Sequence, residues 1–148
     1  MLRVLIICTG NSARSQMAEG LLCSSSGGKI EVRSAGTRPS RVNPIAIEVM
    51  QELGVDISGH RSKSVDEFAG QEFTYVITVC DSARETCPVF PGRAQRLHWS
   101  FEDPAAASGS ADEQKAVFRR VRDQIADQLR NFTEAVVSGS RWWLATNR

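Results

Sequence analysis

Cys8 and Arg14 stand with five residues between them in Cys8-Thr9-Gly10-Asn11-Ser12-Ala13-Arg14-Ser15. Between a strand and a helix, such a loop can wrap so that successive backbone N–H groups point inward as an anion nest. The helix N-terminus adds the positive end of its dipole. Gly10 lets the backbone approach a ligand closely, and Asn11 tolerates a left-handed conformation. Arg14 offers a planar fork to two oxygens of a tetrahedral anion, a geometry lysine lacks. Arginine and a helix N-terminus also favour the thiolate form of a nearby cysteine. Ser15 is placed to donate a hydrogen bond to the Cys8 sulfur. The expected chemistry is attack by Cys8 on an oxyanion held by Thr9, Gly10, Asn11, Ser12, Ala13 and Arg14. The plain alternative is a buried cysteine closing a strand beside an unrelated surface arginine. The aliphatic run before the loop, its Gly/Asn/Ser filling and the helix start after it weigh against that alternative.

Asp103-Pro104 lies beyond the last strand, on the side where α/β sites assemble, and its carboxylate can serve as a general acid. Taken alone, Asp-Pro is more often an ordinary turn. Cys80 and Cys87 bracket Cys80-Asp81-Ser82-Ala83-Arg84-Glu85-Thr86-Cys87-Pro88. Their bland reading is a pair of small core or loop residues. A zinc site has no second cysteine pair or spaced histidine pair to complete a tetrahedron. Cys23 is expected to pack on the first helix, and His60 and His98 to be structural, with His98 close to the Asp103 loop.

The elements that must position these groups follow from periodicity. Leu2 to Ile7 is a continuous aliphatic run, the pattern of a strand covered on both faces. Met17, Ala18, Leu21 and Leu22 recur at helical spacing up to about Cys23, where a Ser/Gly tract breaks the helix. Ile30 to Ser34 alternates as a short strand. Asn43-Pro44 opens a second helix that Gly54 closes, and Ser64 to Phe68 reads as a short helical turn. Phe73 to Val79 and Ala94 to Trp99 are further strands, and Ala111 to Val137 is one long amphipathic helix. Strands alternating with helices predict a single-domain α/β fold, a doubly wound four-stranded parallel sheet ordered 2-1-3-4 with helices on both faces. The domain is expected over residues 1–137, with residues 138–148 as a C-terminal tail carrying Trp142-Trp143-Leu144.

At 148 residues the chain is the size of one ordinary domain. Its 18 basic and 17 acidic side chains nearly cancel, which gives no reason to expect nucleic acid or an acidic membrane surface as a partner. The first apolar run is too short for a signal-peptide core, and nothing later approaches a membrane span. The cytoplasm is therefore the expected compartment. There, the four cysteines are unsuited to a static disulfide framework and call for chemistry or burial.

The Cys8–Arg14 loop resembles the phosphate-binding loop of the low-molecular-weight protein tyrosine phosphatase superfamily. Ser34-Ala35-Gly36-Thr37, Asn43-Pro44, Gly54-Val55-Asp56-Ile57-Ser58 and Asp103-Pro104 match in chain order, so the resemblance runs to about residue 137. It implies Asp103 as the general acid. Within the superfamily the chain is similar to thioredoxin-coupled arsenate reductases. The shared features are Cys80 and Cys87, the string Ser15-Gln16-Met17-Ala18-Glu19-Gly20, and His98-Trp99 before Asp103-Pro104. In a 2-1-3-4 sheet the first and third strands are neighbours, which places Cys80 at the same edge as Cys8.

What this resemblance implies is a relay in which Cys8 attacks arsenate, Cys80 attacks Cys8, and Cys87 attacks Cys80. The resulting Cys80–Cys87 disulfide is left for thioredoxin as reductant. The partners implied are arsenate and thioredoxin, with no bound cofactor and a monomeric chain. A phosphatase needs no second or third thiol, and such phosphatases usually set tyrosines just after Asp-Pro. Here the residues are Ala105-Ala106-Ala107, and the single tyrosine, Tyr75, sits inside a strand. Two departures stand out. Ala13 occupies a loop position where related reductases often carry cysteine. Lys63 stands where some relatives complete a potassium site with aspartate beside residues matching Asn11, Glu19 and Ser34, so weak or absent potassium dependence is expected. A low-molecular-weight phosphatase acting on aryl phosphates, or an oxyanion- or redox-sensing binding module, are the competing readings.

Overall fold

The computed structural model describes residues 2–81 and 89–138. Four strands, β1 (Leu2–Cys8), β2 (Ile30–Gly36), β3 (Tyr75–Thr78) and β4 (Gln95–His98), form one sheet in the order β2-β1-β3-β4. All three pairings are parallel, with Ile7 opposite Thr78 and Cys8 opposite Gly36. The expected topology is therefore the observed one. Strand bounds shift by one or two residues: β2 extends through Gly36, and β3 starts at Tyr75 instead of Phe73.

The α-helices are α1 (Arg14–Ser25), α2 (Pro44–Gln51) and α3 (Ala111–Ser138). Their apolar sides meet one face of the sheet, where Val4, Ile6, Ile77 and Leu97 pack with Met17, Leu22, Met50, Phe118 and Phe132. Phe132 on α3 meets Tyr75 and Trp99 edge-on at centroid distances of 5.1 and 5.9 Å. Such aromatic pairs add about 0.5–1.5 kcal/mol each beyond their area. The opposite face carries Leu5, Ile7 and Val76. It is covered by the 3-10 helix Val65–Phe68 together with Phe73 and Phe90. Both faces being covered explains the unbroken aliphatic run of β1. Among the described residues, no helix is long and apolar enough to cross a membrane. Residues 139–148 of the expected tail lie outside the described residues.

Two features lock α2 beside the loop that follows β1. Asn43 caps the helix, its side-chain oxygen accepting from Ile45 N at 2.8 Å, with Pro44 at the first helical position. Its own N–H donates to Ser12 O at 3.0 Å. At the other end Glu52 accepts from Arg119 and Arg122 of α3, and these hydrogen bonds hold its carboxyl down to about 2. Arg122 also donates to Val49 O at 2.8 Å. Close packing of α1 depends on Gly20, where an added Cβ would come 2.7 Å from Ile57 Cγ2.

Candidate active site

The segment between β1 and α1 is short, and both of its ends are fixed. β1 delivers Cys8 at the C-terminal edge of the sheet with 2% of its surface exposed. Arg14 opens α1, whose N-cap, Ala13, provides no side-chain hydrogen bond, and no acidic residue stands in the first turn. The positive end of the helix dipole therefore meets this loop without a carboxylate to offset it. Asn11 has φ 46°, the one positive-φ residue other than glycine among those described. It turns the chain inward as its residue type foretold.

Hydrogen-bond direction in this loop can be worked out from groups that only donate. Lys63 N donates to Asn11 Oδ1 at 2.8 Å, which fixes the amide orientation. Asn11 Nδ2 must then donate, to Ser15 Oγ at 2.8 Å and to Ser34 Oγ at 3.0 Å. Ser15 Oγ, which accepts from Asn11, also pairs with Cys8 Sγ, 2.9 Å away, where either group can donate. Ser34 in turn donates to Glu19 Oε1 at 2.6 Å. Gln16 Nε2 donates to Arg61 O and to Asn11 Oδ1, both at 3.0 Å, leaving Gln16 Oε1 to accept from His60 Nδ1 at 3.0 Å. His60 thus braces the back of the loop, as its structural reading anticipates.

Arg14 is 3% exposed. Its Nη1 donates to Phe101 O at 3.2 Å, and its Nη2 lies 3.8 Å from Asp103 Oδ2. Asp103 caps a 3-10 helix, Pro104–Ala106, by accepting from Ala105 N at 3.0 Å with its other oxygen. One carboxylate oxygen is thus spent on the turn while the second faces Arg14. This short helix lies within the segment the sequence reads as loop. No aromatic side chain follows Asp103; Ala105 and Ala106 are exposed.

The structure therefore brings Cys8, Ser15, Arg14 and Asp103 together, with Thr9 to Ala13 between them. Cys80 follows β3 beside β1, where Val79 N donates to Ile7 O at 2.9 Å, and it is fully buried. Cys80 is disulfide-bonded, whereas Cys8 and Cys23 are free thiols; Cys87 lies outside the described residues. The expectation for Cys23 is corrected. It is exposed on α1 next to fully buried Leu22, because a step of one residue turns the side chain about 100° around a helix. His98 is also exposed and pairs with Thr78 Oγ1 at 2.6 Å.

Two important residues escaped the sequence reading as individuals. Gly36 closes β2, and a Cβ there would fall 2.5 Å from Thr9 O and 2.8 Å from Asn11 N. At Gly10, by contrast, nothing would come closer than 3.7 Å, so no protein neighbour requires that glycine. A glycine ending an alternating strand was the available signal for close backbone approach. Gln16, fully buried on α1, gave no such signal.

A cysteine-to-arginine loop joining strand to helix on a parallel 2-1-3-4 sheet defines a class of proteins. The chain belongs to the low-molecular-weight phosphotyrosine protein phosphatase family, matched over residues 3–140. An arsenate reductase of Halalkalibacterium halodurans is 44% identical over 131 residues, spanning 88% of this chain and 94% of that protein. A solved arsenate reductase in its reduced state superposes with TM-score 0.74 at 35% identity, covering 92% of this chain and 99% of the other. A thioredoxin-dependent arsenate reductase of Corynebacterium glutamicum gives TM-score 0.70 at 27% identity, over 95% of this chain and 64% of that one.

Proposed function

We propose that this chain reduces arsenate to arsenite. The observation that carries the reading is the hydrogen-bond chain from Asn11 through Ser15 to Cys8 Sγ, in a loop where Arg14 and Asp103 converge. Relatives named arsenate reductase support the choice of anion. The Cys8 thiolate attacks arsenic and a hydroxyl leaves as water, protonated by Asp103. The Cys80 thiolate then attacks Cys8 Sγ. The sulfur–arsenic bond breaks, its electron pair stays on arsenic, and arsenite departs from a Cys8–Cys80 disulfide. Cys87 attacks Cys80, releasing Cys8 as thiolate and forming a Cys80–Cys87 disulfide, which thioredoxin reduces. A disulfide-bonded Cys80 beside a free Cys8 is the pattern this sequence leaves behind. The likeness to a thioredoxin-dependent reductase supports the choice of reductant. The reading places a monomeric chain in the cytoplasm, where such thiols are kept reduced.

Arsenate turnover with thioredoxin, thioredoxin reductase and NADPH tests this directly. Cys87→Ser is expected to abolish steady-state turnover while one equivalent of arsenite still forms in a single turnover. Full steady-state activity in that variant rejects the relay. Non-reducing mass analysis after one turnover of the unaltered chain should give the Cys80–Cys87 bond; a Cys8–Cys23 bond also rejects it. Hydrolysis of aryl phosphates faster than arsenate reduction selects the phosphatase reading instead.

Potassium fits poorly here. Lys63 Nζ lies 3.7 Å from Glu19 Oε1 and donates to Arg61 O at 3.2 Å, so an ammonium already faces the Glu19 carboxylate. Burial pushes the Lys63 ammonium below its usual range, while Glu19 opposes that shift. kcat and KM are expected to coincide in KCl and NaCl of equal ionic strength. Strong stimulation by potassium over sodium would overturn this assignment.

A further inference from the structure

We infer that Arg38 and Arg41 form a basic collar beside the anion loop that draws the substrate dianion toward Cys8 through space. The inference rests on the proposed oxyanion chemistry of that loop. The segment after β2, Thr37-Arg38-Pro39-Ser40-Arg41, is tied to the loop backbone. Arg38 N donates to Thr9 O at 2.9 Å and Ser40 N to Gly10 O at 3.2 Å. Ser62 Oγ clamps the same place, donating to Gly10 O at 3.0 Å and accepting from Ser40 N at 2.9 Å. With standard backbone dimensions, the Arg38 Cα lies within about 5 Å of Thr9 O and the Arg41 Cα within about 9 Å of Gly10 O. Both arginines are exposed.

Among the described residues, no carboxylate pairs with either. Arg3, Arg61, Lys63, Arg119, Arg120 and Arg130 each face a carboxylate at ion-pairing distance. Among the described residues, Arg38 and Arg41 have no such partner. Lys29, Arg93 and Arg96 lack one too, but Lys29 and Arg93 precede β2 and β4 and so lie at the opposite end of a parallel sheet, and Arg96 donates to Phe90 O and Gly92 O. Among the described residues, a chain whose formal net charge is +1 therefore leaves two positive charges without an ion-pair partner at the rim of this loop. A local field of this kind raises the concentration of an oppositely charged substrate at the site, most strongly at low salt. Two unit charges acting on a dianion from about 12 Å through water, with a screening length of about 30 Å at 0.01 M, change its local concentration by about fivefold. At 0.1 M the screening length falls to about 10 Å and the factor to about twofold.

The test compares the unaltered chain with Arg38→Ala/Arg41→Ala and Arg38→Lys/Arg41→Lys double variants. For the alanine pair, kcat/KM for arsenate is expected to fall about fivefold at 0.01 M ionic strength and about twofold at 0.1 M, with kcat retained. The lysine pair should match the unaltered chain, because only charge is needed. A parallel measurement follows inorganic phosphate binding to Cys8→Ser protein with and without the alanine pair. It should show the same salt-dependent loss, and it reads the collar even if arsenate proves not to be the substrate. An alanine pair with unchanged kcat/KM and unchanged phosphate affinity at low salt overturns the inference. So does a lysine pair as impaired as the alanine pair, since that outcome requires direct guanidinium contacts.

Discussion

Replacing Cys8 with serine is expected to lower arsenate turnover by on the order of 10⁴-fold or more, the scale seen when a nucleophile is removed. The reason lies in the atom itself and in the groups around it. Ser15 accepts from the Asn11 amide and pairs with the side chain at position 8. Neither Ser15 nor Asn11 is a base for a serine hydroxyl placed there. The recorded side-chain contacts of the two histidines are made elsewhere, His60 Nδ1 with Gln16 Oε1 and His98 Nδ1 with Thr78 Oγ1. Serine also cannot form a disulfide with Cys80, so no path remains for two electrons to reach arsenic. The coupled NADPH assay reads the loss. Inorganic phosphate binding by the same variant should persist, since the loop backbone and Arg14 are untouched. Turnover within about a hundredfold of the unaltered chain assigns the nucleophile elsewhere.

Gly36→Ala is the second large effect, and it involves a residue with no side chain and no chemistry. Gly36 has no positive φ among those recorded, so alanine suits the backbone and the cost is steric. Its methyl would sit 2.5 Å from Thr9 O, 2.8 Å from Asn11 N and 3.0 Å from Asn11 Cβ. Two of those atoms are backbone of the anion loop itself and cannot swing aside as the end of a side chain can. Gly36 N is also held by Lys63 O at 2.8 Å, which restrains β2 from giving way. The loop must therefore shift, and a displacement of about 1 Å at a reacting group can cost about 10²-fold in rate. Overpacking of this kind also destabilises by about 1–3 kcal/mol. Steady-state arsenate kinetics and thermal melting together check both parts. A Gly36→Ala protein with unaltered kcat/KM shows that the loop accommodates the methyl, and refutes the steric argument. Gly20→Ala makes a useful contrast, because its 2.7 Å contact is with the Ile57 Cγ2 methyl, a side-chain atom able to yield.

The Cys8–Arg14 loop was legible from sequence because everything that defines it is local. The aliphatic run ending at Cys8, the turn-forming residues and a helix start read at Ser12 or Ala13, within two residues of the observed Arg14, act over a few residues, where periodicity and turn chemistry are dependable. The strand order was legible for a related reason: alternating strands and helices leave few ways to bury a parallel sheet. Asp103-Pro104 needed the resemblance to acquire meaning, since the dipeptide alone says only "turn". Tertiary structure alone decided how the Asn11 amide is oriented beside Ser15 and Ser34. The group that fixes it is the Lys63 backbone N–H, 52 residues from Asn11, and no local pattern records a contact made across that separation. It also decided that Gly36, rather than Gly10, is crowded by the loop, that Cys23 faces solvent, and that Arg38 and Arg41 stand beside the loop with no carboxylate partner among the described residues. Each of these depends on which segments the fold presses together, and short-range propensities carry no information about that.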